Sequence, residues 1–176
     1  MILALLALAQ VSGGELPPVG QAAAQQTPAD ECSGKLYEGF DFWLGQWNVF
    51  RRESGDPLGQ SRVEKINNGC TVRETWLPLQ GKAGGTLNAP DLITGRWHQY
   101  WVDSAGTRVD LEGGLFNGNM VLSGAWQRGG ESALLRITYS RLDRDSVRQL
   151  AEFSTDDGLT WETSFDHLYL RVVPAD

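Results

Sequence analysis

Three polar side chains fall on strand positions that alternate with large apolar ones. Glu74 lies between Val72 and Trp76, Gln99 between Trp97 and Trp101, and Gln149 between Val147 and Ala151, with Phe153 one step further. A carboxyl or amide on an apolar face must find a partner, because an unpaired buried polar group costs on the order of 1–3 kcal/mol. Two arrangements satisfy such groups: bonds to one another and to water, or contact with a bound small molecule. A buried carboxyl is also a candidate acid or base, so an enzyme using Glu74 is the alternative to a binding protein. No further catalytic set is legible. Gly-x-Ser-x-Gly elbows, phosphate loops and zinc-protease motifs are missing from the sequence. A carboxylate pair for glycoside hydrolysis cannot be singled out from the acids on turns, so no catalytic residue is assigned and binding is favoured over catalysis. Of the two histidines, His167 alternates with Phe165 and Tyr169 on the inward side, from where a single imidazole can ligate haem iron. His98 alternates with Trp97 and Trp101 on the opposite face and is read as structural or exposed. No third ligand accompanies them, so no metal site is assigned and a cofactor is not expected unless His167 binds haem.

The elements that position these residues are strands. Ten short runs, at 46–52, 62–66, 71–77, 85–88, 96–103, 108–112, 119–126, 133–141, 146–154 and 160–173, carry β-branched and aromatic residues in alternation. Between them stand turn signals such as Asn67-Asn68-Gly69, Phe116-Asn117-Gly118 and Asp156-Asp157-Gly158, which supply the residues that tolerate positive φ. No amphipathic helical stretch of useful length separates the runs. Sequential strands without crossovers make an up-and-down meander. A meander of this length removes its edges by closing, which predicts an antiparallel all-β barrel of about 8–10 strands. Period-two alternation points Val72, Glu74 and Trp76 inward, together with Trp97, Gln99 and Trp101. Ile137 and Tyr139 join them, as do Val147, Gln149, Ala151 and Phe153, and finally Trp161, Thr163, Phe165, His167 and Tyr169. Phe40, Phe42 and Trp43 precede the first strand on a short turn that would plug one end.

Composition sets the class. Apolar residues make up 41% of the 176, enough for one core, and the net charge of −7 supplies no basic patch for nucleic acid. The apolar run 2–9 is too short to span a bilayer and reads as the centre of a secretory signal peptide, although no Lys or Arg precedes it. The expected organisation is a signal peptide over 1–24, a flexible lead over 25–35 and one barrel domain over 36–174. An exported chain, periplasmic or secreted and not stably inserted in a membrane, is free to oxidise Cys32 and Cys70 to a disulfide.

Over 40–171 the chain resembles a family of bacterial lipocalin-like domains with no assigned activity. The resemblance rests on Phe40-Asp41-Phe42-Trp43-Leu44-Gly45-Gln46-Trp47 and on Arg96-Trp97-His98-Gln99-Tyr100-Trp101-Val102-Asp103. It continues in Arg136-Ile137-Thr138-Tyr139, Val147-Arg148-Gln149 and 154–161. The Gly-x-Trp at Gly45 and Trp47, with Arg171 in the last strand, is similar to the closure of lipocalin and calycin barrels. It implies that the arginine stacks on the tryptophan and seals one end. The aromatic inward face points to a small-molecule container, with Glu74, Trp76, Trp97, Gln99, Trp101, Tyr139, Gln149, Phe153 and Phe165 around the cavity. It leaves two alternatives open: a calycin-like enzyme using the buried carboxylate, and a haem barrel of the nitrobindin type through His167. The segment Ser154-Thr155-Asp156-Asp157-Gly158-Leu159-Thr160-Trp161 matches the Asp box of sialidase-like propellers and is read as turn chemistry alone.

Overall fold

A computed structural model describes residues 32–173 of the chain. The expected signal peptide, residues 25–31 of the lead and residue 174 of the expected domain lie outside the described residues. Ten strands follow in order: β1 (Gly45–Arg51), β2 (Pro57–Ile66), β3 (Thr71–Pro78), β4 (Gly84–Pro90), β5 (Trp97–Asp103), β6 (Arg108–Phe116), β7 (Asn119–Arg128), β8 (Glu131–Arg141), β9 (Ser146–Ser154) and β10 (Glu162–Arg171). Each pairs antiparallel with its sequence neighbours, and β1 pairs with β10, so the sheet is a closed up-and-down barrel of the lipocalin-like kind. The turn chemistry works as the sequence implies: Asn67, Asn68, Asn117 and Asp157 all take positive φ.

One end is closed. A single 3-10 turn, Asp41–Trp43, drops Phe40 and Trp43 fully buried into the barrel. Phe40 meets the rings of Trp97 and Tyr139 edge-on at 5.2 and 5.3 Å, and Trp43 lies 4.7 Å from Tyr139. Across this plug, the Arg171 guanidinium sits 4.2 Å over the Trp47 ring and donates to the Leu44 carbonyl at 2.9 Å. Trp47 Nε1 donates to the Trp43 carbonyl at 2.8 Å. Gly45 makes the arrangement possible. Its φ is +133°, and a Cβ there would fall on the Arg171 guanidinium. Cys32 and Cys70 form a disulfide that ties the lead to the β2–β3 turn at this closed end.

The outward positions carry ion pairs: Arg136 with Glu152 at 2.9 Å, Arg148 with Asp166 at 2.8 Å and Arg73 with Glu64 at 2.6 Å. Among the described residues, no helix is long and apolar enough to cross a membrane.

The inward assignment needs one correction. Trp161 and Thr163 do not share the inner face with Phe165. The ladder shifts between Thr163, opposite Glu152, and Phe165, opposite Ala151, so Ser164 is an extra residue in β10. One inserted residue inverts the alternation on its N-terminal side. Thr163 is exposed, and Trp161 packs outside beneath the Arg136 guanidinium at 3.9 Å.

Candidate functional site

Above the plug lies a cavity of about 290 Å³. Its inner end is a layer of polar side chains projecting from seven strands. Ser61 on β2 donates to Glu74 Oε1 at 2.8 Å. Tyr169 on β10 reaches the same oxygen at 3.2 Å and Gln149 Oε1 at 2.8 Å. Gln149 Nε2 on β9 donates to the Tyr139 hydroxyl oxygen at 3.0 Å, and Gln99 Nε2 on β5 donates to it at 2.9 Å. Gln99 Nε2 also donates to Asn88 Oδ1 at 2.7 Å, and Asn88 Nδ2 donates to Thr86 Oγ1 at 2.8 Å and to the Val72 carbonyl at 2.9 Å. The chain of bonds crosses the barrel from β2 to β4 and leaves two cavity-lining acceptors, Glu74 Oε2 and Gln99 Oε1, without a donor among the described residues.

Toward the mouth the lining turns apolar. Trp76 and Trp101 stand one inward step beyond Glu74 and Gln99, with Val109, Trp126, Leu135, Ile137 and Phe165 completing the wall. Gly84 is the backing of Trp101: a Cβ there would come within 2.7 Å of the indole. His167 lines the same wall, its ring stacked on Phe165 at 4.3 Å. The mouth is bordered by the β9–β10 turn, where the Asp-box residues bond to one another. Gly158 N donates to Ser154 Oγ at 2.8 Å, Thr160 N to Asp156 Oδ1 at 2.8 Å, and Trp161 Nε1 to the Gly158 carbonyl at 3.0 Å.

Burial governs the protonation states. Glu74 has no cationic neighbour among the described residues, and desolvation pushes its carboxyl up to about 7 against the pull of the Ser61 and Tyr169 hydroxyls. Burial, reinforced by the charge of Glu74, pushes the phenols of Tyr139 and Tyr169 upward, so both stay protonated. His167 is pushed down to about 4 by burial and by the nearby Arg51, which outweigh the pull of Asp166. At neutral pH the cavity therefore holds one half-ionised carboxyl, a neutral imidazole and two neutral phenols.

Of the residues expected around the cavity, Glu74, Trp76, Gln99, Trp101, Tyr139, Gln149 and Phe165 line it together. Trp97 and Phe153 do not. Trp97 points inward but lies one layer deeper, against Phe40. Phe153 sits at the rim between Trp126, 6.5 Å away, and the Arg128 guanidinium, 3.6 Å over its ring. Alternation assigns a face, and depth along the barrel is what it omits. His98 lies on the outer face, 4.0 Å from Glu112. Sequence reasoning overlooked Ser61, Thr86 and Asn88. The inner face of β4 is polar, and its one large apolar residue, Leu87, points out and is 48% exposed. Trp126 was within reach, since it alternates with Gly124 and Leu122 on the inner side of β7.

No protein-family model matches the chain, and no curated protein matches it. The barrel and its cavity therefore carry the functional argument.

Proposed function

We propose that this chain is an exported small-molecule-binding barrel of the lipocalin-like family, holding a compact apolar or amphipathic ligand. The observation that carries the reading is the division of the cavity into a hydrogen-bonding inner end and an indole-lined wall, the usual make-up of a ligand pocket. A volume near 290 Å³ lies at the small end of the ~300–1000 Å³ typical of such sites, which favours a compact ligand over a macrocycle. The Cys32–Cys70 disulfide supports an oxidising compartment. The apolar run at 2–9 supports export to the periplasm or beyond.

The test is binding with the wall removed. Native mass spectrometry of protein taken from the periplasm identifies a co-purifying mass, and Trp101→Ala is then titrated with that compound. Affinity should drop at least about tenfold, equivalent to about 1.4 kcal/mol, with the near-ultraviolet dichroism of the barrel retained. Unchanged affinity removes the cavity from the reading.

A second reading has one observation in its favour. A carboxyl that changes protonation near neutrality is suited to acid–base work in a dry cavity, and Glu74 is such a group. Catalysis predicts a substrate whose turnover disappears in Glu74→Gln while its binding persists.

A further inference from the structure

Resting on the binding reading above, we propose that the ligand is a primary or secondary amine on a compact aromatic or aliphatic body, its ammonium seated against Glu74 at the inner end of the cavity. Among the described residues lining the cavity, Glu74 is the only Asp, Glu, Lys or Arg. It is 3% exposed, and no arginine or lysine from any strand packed against it neutralises it. The groups that face it are Ser61 from β2, Thr86 from β4, and Tyr169 from β10. Gln99, Tyr139 and Gln149 complete the same hydrogen-bonded layer. The titratable ones, Tyr139 and Tyr169, are neutral, and His167 nearer the mouth is neutral as well.

An isolated carboxylate in an apolar interior is costly unless paired, and a cation is the partner that removes the cost. The hydrogen bonds specify where that cation goes. Ser61 and Tyr169 both address Oε1, which leaves Oε2 open toward the cavity, with Gln99 Oε1 as a second open acceptor in the same layer. Two acceptors and no basic group suit an ammonium, which is all donor. The wall agrees, because the indoles of Trp76, Trp101 and Trp126 offer apolar area to the ligand's body. A carboxylate ligand would meet Glu74 with like charge, and a purely apolar one would leave both acceptors unpaired.

Binding then draws Glu74 into its ionised form, so uptake of the amine is linked to loss of a proton from the carboxyl. Affinity should be highest at mildly alkaline pH and should weaken as Glu74 is protonated.

Three matched probes test this by calorimetry on the wild-type protein: 2-phenylethylamine, 2-phenylethanol and 3-phenylpropionate. At about pH 8 the amine should bind at least about tenfold tighter than the alcohol or the acid, and its affinity should fall toward tenfold per pH unit below about pH 7. Glu74→Gln should weaken amine binding at least about tenfold and abolish its pH dependence, while the alcohol changes by no more than about twofold. The pH series on the wild type stands even if that variant fails to fold. Alcohol or acid binding as tightly as the amine, or amine affinity that does not fall on acidification, overturns the amine assignment and leaves the container intact. Failure of all three probes, with no co-purifying mass, overturns the container and the assignment with it.

Discussion

Glu74 and His167 line one cavity and respond to acid in opposite ways. Glu74 is pushed from an ordinary 4.5 up to about 7 by burial, so the folded protein holds a proton that the unfolded chain has released. Its stabilising contribution is complete below pH 4.5 and is lost as pH rises through about 7, a difference on the order of 3 kcal/mol. His167 is pushed from 6.5 down to about 4, so its contribution is complete above pH 6.5 and is lost as pH falls through about 4. Between pH 4.5 and 6.5 the two slopes oppose, and the apo protein should show little change in stability across that interval. Single variants separate them. Glu74→Gln should lose stability on acidification through this interval, since only the histidine remains. His167→Gln should gain stability over the same interval, since only the carboxyl remains. Asp156 and Asp166, both held below the ordinary carboxylate range, act at lower pH and affect all three proteins alike. Urea unfolding at a series of pH values reads this directly, and parallel stability curves for the three proteins would contradict the assignment.

The closed end shows how far a sequence specifies its elements. Gly45, Trp47 and Arg171 were legible as a set through their resemblance to the lipocalin and calycin closure, a Gly-x-Trp opening the first strand and an arginine in the last. Ten strands were legible because turn residues punctuate them. The bulge at Ser164 was not, because a serine inserted between Thr163 and Phe165 leaves no mark in the sequence, and the inward faces assigned to Trp161 and Thr163 failed there. The polar layer was half legible. Glu74, Gln99 and Gln149 stand out among apolar neighbours, whereas Asn88 and Thr86 sit on a strand whose alternation reads backwards. The extent of β6 also exceeded the pattern, because Gly113 and Gly114 resemble a turn yet continue the ladder to Phe116. The closure makes a prediction on coupling. Arg171→Ala removes a bond to the Leu44 carbonyl and a cation over Trp47, and should cost about 1–3 kcal/mol. Gly45→Ala should cost a comparable amount, since its Cβ displaces the same guanidinium and its φ of +133° is strained. Both act through one contact, so the double variant should lose less than the sum of the singles. Strict additivity in urea unfolding would show that Gly45 serves the backbone alone.

At the scale of the whole molecule, the pairing of β1 with β10 is, among the described residues, the one strand pairing that sequence proximity does not supply. Every other pair joins neighbours across a short turn and closes a small loop at little entropic cost. The β1–β10 pair spans Trp47 to Arg171, and it converts a sheet with two open edges into a barrel with none. Residues 32 and 173 both leave the barrel at its closed end. Cys32 is bridged to Cys70 there, and Val172 N bonds to the Gln46 carbonyl at 2.8 Å. A permuted chain that links residue 173 to residue 32 and opens the β5–β6 turn at Gly106 keeps all ten pairings. It should form the monomeric barrel with the cavity intact, because Gly106 lies on an exposed turn with space for a Cβ. Deleting 162–171 instead removes Phe165, His167 and Tyr169 from the cavity and exposes the edges of β1 and β9. That chain should associate through its edges. Size-exclusion chromatography and circular dichroism distinguish the outcomes. A monomeric truncated chain with native dichroism would mean that the plug and polar layer hold the nine remaining strands curved without closure, and the permutant failing to fold would mean that the β5–β6 hairpin must form before the barrel can close.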